Sequence, residues 1–152
     1  MADRKQDMRS RQLSDFEGAW AFRREIVETQ GGRVLVAGHA VWLPADGGLI
    51  CDETGEMHLP SHAPMQVTRR YRWEADLTVR FADGRFFHRV PGEGGDVSHW
   101  CDPDHYDGTY DFSDWPAFAV VWRVHGPRKD YRMHTRYWRE GGTGYFGDAD
   151  GN

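Results

Sequence analysis

The residues with the greatest capacity for chemistry sit at alternate positions in short aromatic-rich stretches. Arg69 and Tyr71 share a phase with Met65, Val67 and Trp73. His88 follows Phe86 and Phe87, His99 and Cys101 flank Trp100, and Trp122 and Tyr131 stand on either side of Gly126-Pro127-Arg128-Lys129. Alternation puts every second residue on one face of a strand, so these groups converge on one interior. A guanidinium there is costly without an anion, and its planar fork suits a carboxylate. For Arg69 that anion is Glu53, Asp102 or Glu25, or the acidic group of a ligand. Two facing histidines would share a proton, hold a substrate carbonyl or give two metal ligands, with Cys101 two residues on.

No stronger motif competes with this cluster. A Gly-x-Ser-x-Gly elbow is absent, and Gly126-Pro127-Arg128-Lys129-Asp130-Tyr131 lacks the glycines and following helix of a phosphate loop. The spacings His99-x-Cys101 and Cys101-x3-His105 lack the regularity of established metal sites, so no metal is expected and the cofactor is unknown. Asp102-Pro103-Asp104-His105-Tyr106 reads as a turn. The net charge of -5 argues against nucleic acid, despite Arg69-Arg70-x-Arg72 and Arg128-Lys129. No apolar run is long enough to cross a bilayer as a helix and the N-terminus is charged, which predicts a cytoplasmic protein without membrane association. Two cysteines, Cys51 and Cys101, are expected to stay reduced.

The elements that must position these residues are strands. Aromatic residues (7 Trp, 6 Tyr, 8 Phe) fall in alternating runs, and turn signals recur at Gly31-Gly32, Asp46-Gly47-Gly48, Thr54-Gly55, Asp83-Gly84, Gly92 to Gly95, Asp107-Gly108 and Gly126-Pro127. This spacing predicts an all-β, closed, antiparallel up-and-down barrel of about 8–10 strands. Residues 14–140 form it, preceded by a flexible or helical segment 1–13 and followed by a flexible tail 141–152.

Asp83-Gly84 predicts a two-residue type I′ turn that sets Phe81 opposite Phe86, Val79 opposite His88 and Leu77 opposite Val90. Pairing Val90 with Val97 then brings His88 opposite His99 and Phe86 opposite Cys101. The last hairpin pairs Val124 with Tyr131, Trp122 with Met133, Val120 with Thr135 and Phe118 with Tyr137. A Gln30-Gly31-Gly32 loop sets Ile26 against Val36, Phe22 against Ala40 and Trp20 against Trp42.

In an even-stranded barrel the first and last strands are antiparallel neighbours, which brings Arg139 over Trp20 beside Gly18. Arg136 replaces it if the register slips. Gly18, Trp20 and Arg139 resemble the structural signature of lipocalins and other calycins. The stretches Phe16-Glu17-Gly18-Ala19-Trp20, Arg70-Tyr71-Arg72-Trp73, Phe81-Ala82-Asp83-Gly84-Arg85-Phe86-Phe87-His88, His99-Trp100-Cys101 with Asp104 and Tyr106, and Trp122 through Tyr131 to Arg139 together resemble a bacterial family described only as a domain of unknown function. That resemblance spans about residues 14 to 139 and implies a lipocalin-like barrel without implying a reaction.

These features predict a barrel that binds a small molecule, anionic and partly apolar, in its interior. Arg69, Tyr71, His88, His99, Cys101, Trp122 and Tyr131 are the candidate ligand-binding residues, with Tyr110 beside them. The alternatives are a lyase- or isomerase-type enzyme using a His88/His99 pair for acid/base chemistry, and a haem- or metal-binding barrel. A homodimer is left open.

Overall fold

The computed structural model describes residues 9–141. A single 3-10 turn, Leu13–Asp15, leads into ten strands: β1 (Gly18–Glu28), β2 (Arg33–Ala45), β3 (Gly48–His58), β4 (Met65–Trp73), β5 (Thr78–Phe81), β6 (Phe86–Arg89), β7 (Gly95–Cys101), β8 (Asp104–Asp111), β9 (Phe118–His125) and β10 (Asp130–Arg139). They form one antiparallel sheet in the order β6-β5-β4-β3-β2-β1-β10-β9-β8-β7. The meander therefore rolls up so that β1 meets β10, as expected. Its two edges, β6 and β7, approach without forming a ladder, which leaves the barrel nearly closed with one unzipped seam.

That seam corrects one expectation. His88 and His99 do not face each other, because β6 pairs only with β5 and β7 only with β8, where His99 lies opposite Tyr106. Gly92 and Gly94 are held elsewhere, by Arg11 N–H donating to Gly92 O at 2.7 Å and Gly94 N–H donating to Pro91 O at 2.8 Å. The loop thus turns on itself instead of continuing a hairpin ladder.

The β5–β6 hairpin is corrected as well. Its loop is Ala82-Asp83-Gly84, closed by Phe81 N–H to Arg85 O at 2.9 Å and Gly84 N–H to Phe81 O at 2.8 Å, with Gly84 at φ 94°. Only Gly84 takes a positive φ, so the predicted type I′ turn, which needs two, does not form. Val79 does lie opposite His88, but Arg80 lies opposite Phe86, and the ladder is bulged between them. The extra residue is Phe87, and a bulge re-aims side chains. Phe87 and His88 both turn inward while Phe86, expected inside, is exposed.

In the first hairpin a longer loop, Glu28–Gly32, slips the register by two residues, pairing Trp20 with Ala40 and Ile26 with Val34. A shift of two keeps every side chain on its expected face. The final hairpin pairs as expected throughout. Thr54-Gly55 and Asp107-Gly108 are not turns but lie inside β3 and β8. Gly55 faces Gly38 across the ladder, where a Cβ would meet Ala37 O at 2.7 Å, and a Cβ on Gly108 would lie 2.6 Å from the Trp122 ring. These glycines make space for close approach.

One end of the barrel is stoppered. The turn at Leu13–Asp15 delivers Phe16, fully buried, against Trp42, Trp73, Trp115 and Phe118. Trp20 packs edge-on to Trp42 and Phe118 and donates Nε1–H to Phe16 O at 2.8 Å. Arg139, opposite Trp20 in the ladder, lays its guanidinium 4.1 Å above the indole and donates to Glu17 O and Asp15 O, each at 2.8 Å. A Cβ on Gly18 would stand 2.8 Å from Arg139 Nη1, so glycine there admits the guanidinium. Arg136 instead contacts Asp114.

Arg139→Ala removes two charge-assisted hydrogen bonds and a cation–π contact, and is expected to cost about 2 kcal/mol in urea unfolding. Arg139→Lys should recover only part of that loss, because an ammonium cannot stack and cap both carbonyls together.

Candidate functional site

Two hollows with a shared wall occupy the barrel above this stopper. The inner one, about 130 Å³, has aromatic walls that include Trp42, Trp73, Phe87, Trp122 and Tyr131. The second, about 210 Å³, is more aliphatic, with Phe22, Ile26, Val36, Met57 and Val67 in its wall. Arg24, Glu53 and Arg69 line both and divide them.

The dividing wall is built around a buried ion pair. Arg24 donates from Nη1 and Nη2 to the two Glu53 oxygens at 3.0 Å each, and from Nε to Thr135 Oγ1 at 2.7 Å. Tyr137 Oη donates to Glu53 Oε2 at 2.6 Å and accepts from Arg24 at 3.2 Å. Burial alone would raise the Glu53 carboxyl, but the Arg24 charge and the hydrogen bonds from Arg24 and Tyr137 outweigh it and hold it below the usual carboxylate range. Sequence reasoning passed over Arg24, although it shares the inward phase of Trp20, Phe22 and Ile26.

Arg69 lies opposite Glu53 in the β3–β4 ladder, yet that carboxylate is already held by Arg24. Its one polar partner among the described residues is the Tyr71 hydroxyl, to which Nη1 donates at 3.2 Å. The other carboxylates considered for Arg69 are turned elsewhere. Glu25 pairs with Arg33 on the outer surface, and Asp102 sits in the β7–β8 turn. Arg69 itself is exposed to solvent.

Also lining the inner hollow, His88 Nε2 and Tyr110 Oη are 2.7 Å apart, both groups buried. Burial, with a smaller contribution from nearby His99, pushes the imidazole down to about 3, and burial drives the Tyr110 phenol well above its usual range. His88 is therefore a neutral ring at any ordinary pH. Cys51, lining the same hollow, is buried and its thiol is pushed up by burial and by Glu53.

Of the sequence candidates, Arg69, Tyr71, His88, Trp122, Tyr131 and Tyr110 come together around the inner hollow. His99 and Cys101 do not. His99 stands at the seam against Phe86 and Phe87, with centroids 5.8 and 5.7 Å apart, and Cys101 ends β7 nearby. Among the described residues no group of three or more His, Cys, Asp or Glu side chains is arranged to hold a metal.

An antiparallel barrel of ten strands, stoppered at one end by a Trp–Arg pair and hollow above it, is a calycin-like architecture. Over residues 16–139 the sequence matches the family of unknown function DUF6314, and the chain belongs to that family. Among solved structures it is similar to the S-type phycobiliprotein lyase CPES from Guillardia theta, with a TM-score of 0.61 and 7% identity, over 86% of this chain and 92% of that one. At that identity the likeness is one of fold. No curated protein matches the sequence significantly.

Two outcomes follow from the buried groups. Glu53→Gln leaves Arg24 buried without a counter-charge and is expected to cost about 3–5 kcal/mol in chemical unfolding, whereas the paired change Arg24→Met with Glu53→Leu should cost far less. His88 refuses a proton until about pH 3, while in the unfolded chain it takes one near 6.5. The unfolded state then binds more protons between those values, so stability should fall as pH drops below 6.5, by up to about 1.4 kcal/mol per pH unit. Urea unfolding at pH 7, 6 and 5 should show that slope in the wild type and a clearly shallower one in His88→Gln, where His99, also held below its usual value by burial, still contributes.

Proposed function

We propose that this protein binds a small organic anion with a planar, apolar body inside the barrel, with Arg69 as the anion anchor. Tyr71, His88, Trp122 and Tyr131 shape and orient the bound molecule, and Tyr110 backs His88. The observation that carries this reading is the charge balance of the residues lining the hollows. Two guanidiniums, Arg24 and Arg69, and one carboxylate, Glu53, line the hollows among the described residues, which leaves one positive charge. An unpaired guanidinium against an aromatic-walled hollow is suited to a carboxylate. Its exposure gives a ligand access.

The size of the inner hollow sets the scale of the ligand. A cavity of about 130 Å³ is close to the roughly 150 Å³ that accommodates benzene and below the roughly 300–1,000 Å³ of drug-sized sites. One ring with an acidic group fits, and a tail can extend from Arg69 into the aliphatic hollow. A haem does not fit this space, and His88 Nε2 is occupied by Tyr110. Binding is favoured over acid/base turnover because a proton-transfer pair needs pKa values near the working pH, and those of His88 and Tyr110 are displaced away from it in opposite directions. The outer wall carries water-facing charge pairs such as Arg70–Asp52 and Arg123–Asp130, and no helix among the described residues is long and apolar enough to cross a membrane. With both cysteines free, these features support a cytoplasmic carrier or sensor. The sequence leaves a homodimer open.

Isothermal titration with benzoate and 4-tert-butylbenzoate tests the anchor. Both should bind the wild type, and Arg69→Ala should weaken binding about tenfold or more while leaving the melting temperature within a few degrees. Equal binding by the variant would remove Arg69 from the site and with it the basis of this reading.

A further inference from the structure

The inner hollow is asymmetric in its hydrogen-bonding capacity. Arg69 supplies donors from the wall shared by the two hollows, and the walls of the inner hollow hold further donors without acceptors. Trp42 Nε1 and His88 Nδ1 are both buried without a hydrogen-bond partner among the described residues, and both side chains line this hollow. Trp42 is a donor only, so its N–H has no acceptor.

For His88 the count of protons decides the matter. A neutral imidazole and a phenol carry one N–H and one O–H, and the single contact between them uses one. If Tyr110 donates to Nε2, the ring proton sits on Nδ1, which has no partner. If Nε2 donates to Tyr110, the phenolic proton has none. In either tautomer the pair retains one donor that nothing among the described residues accepts, and a buried donor left this way is destabilising. His88 does not resolve this by gaining a charge, since burial keeps it neutral to about pH 3.

We infer that the His88/Tyr110 pair is a specificity element that selects ligands carrying a neutral hydrogen-bond acceptor, such as a ketone, ester or ring nitrogen, on the apolar body distal to the acidic group. This deepens the binding reading above and rests on it for the position of the acid. The site then takes a bipolar molecule: a carboxylate at Arg69, a flat apolar middle against the aromatic wall to which Phe87 and Trp122 contribute, their rings stacked on each other with centroids 5.1 Å apart, and an acceptor at the His88/Tyr110 pair. The discrimination comes by gain: a ligand with the acceptor satisfies a donor that is otherwise unpaired, and one without it leaves that donor as it was.

Two isosteric pairs of probes separate this inference from the anion reading. 4-Acetylbenzoate and 4-isopropenylbenzoate differ only in a carbonyl against a methylene, and acetophenone and α-methylstyrene repeat that difference without the carboxylate. The ketone is expected to bind about fivefold more tightly than the alkene in both pairs. The preference should vanish in the double variant His88→Leu with Tyr110→Phe, which removes both partners and strands neither. Equal affinity of ketone and alkene, or a preference that survives in the double variant, overturns the inference. A ketone preference with no gain from the carboxylate overturns the anion reading instead, and failure of all four probes overturns both. Should the double variant not fold, ¹⁵N spectra of the wild-type imidazoles decide. The ketones should shift the His88 ring nitrogens and the alkenes should not, and an identical response to both overturns the inference.

Discussion

Everything in the interior depends on how one carboxylate is shared. Glu53 lies within reach of two arginines, Arg24 from β1 and Arg69 from the neighbouring β4, and the bidentate contact goes to Arg24 with Tyr137 and Thr135 completing it. Because that network is buried and satisfied, it is rigid, and breaking one member strands a charge. Arg69 is left beside it with a single phenol for company. The ion pair thus does more than join two strands. It divides the interior and fixes which guanidinium remains available.

The fold supports this arrangement from both ends. The Trp20–Arg139 stopper holds the first strand to the last, and Phe16 fills the end with aromatic surface, so the hollow has a rigid base. At the other side the unzipped β6–β7 seam is covered by packing instead of hydrogen bonds, with Phe87 and His99 in contact across it. The β5–β6 bulge is what turns Phe87 into the wall and holds His88 beside it. One inserted residue therefore supplies both an aromatic face and the imidazole.

The architecture was legible in the sequence because its signals are local and periodic. Alternation assigned the inward faces of β4, β9 and β10, the last hairpin paired as expected, and the Trp20–Arg139 contact followed from barrel topology. What failed was whatever depended on loop geometry. Glu28–Gly32 closes two residues earlier than composition suggests, Gly84 alone takes the left-handed conformation, and the glycines at 92–95 bind neighbouring backbone without zipping β6 to β7. Glycine itself is ambiguous, since Gly55 and Gly108 relieve crowding inside strands instead of turning the chain. His99 and Cys101 left the site because the 92–95 loop does not zip β6 to β7. Arg24 was legible and overlooked, and only the three-dimensional contacts reveal that it claims Glu53 before Arg69 can.

The measurement that bears most directly on the central claim is native mass spectrometry, with an absorption spectrum, of the protein purified gently from its own source. The account predicts a retained small organic acid in the wild type that Arg69→Ala loses. A retained cation, a tetrapyrrole with its Soret band, or a mass held equally by both forms would contradict it.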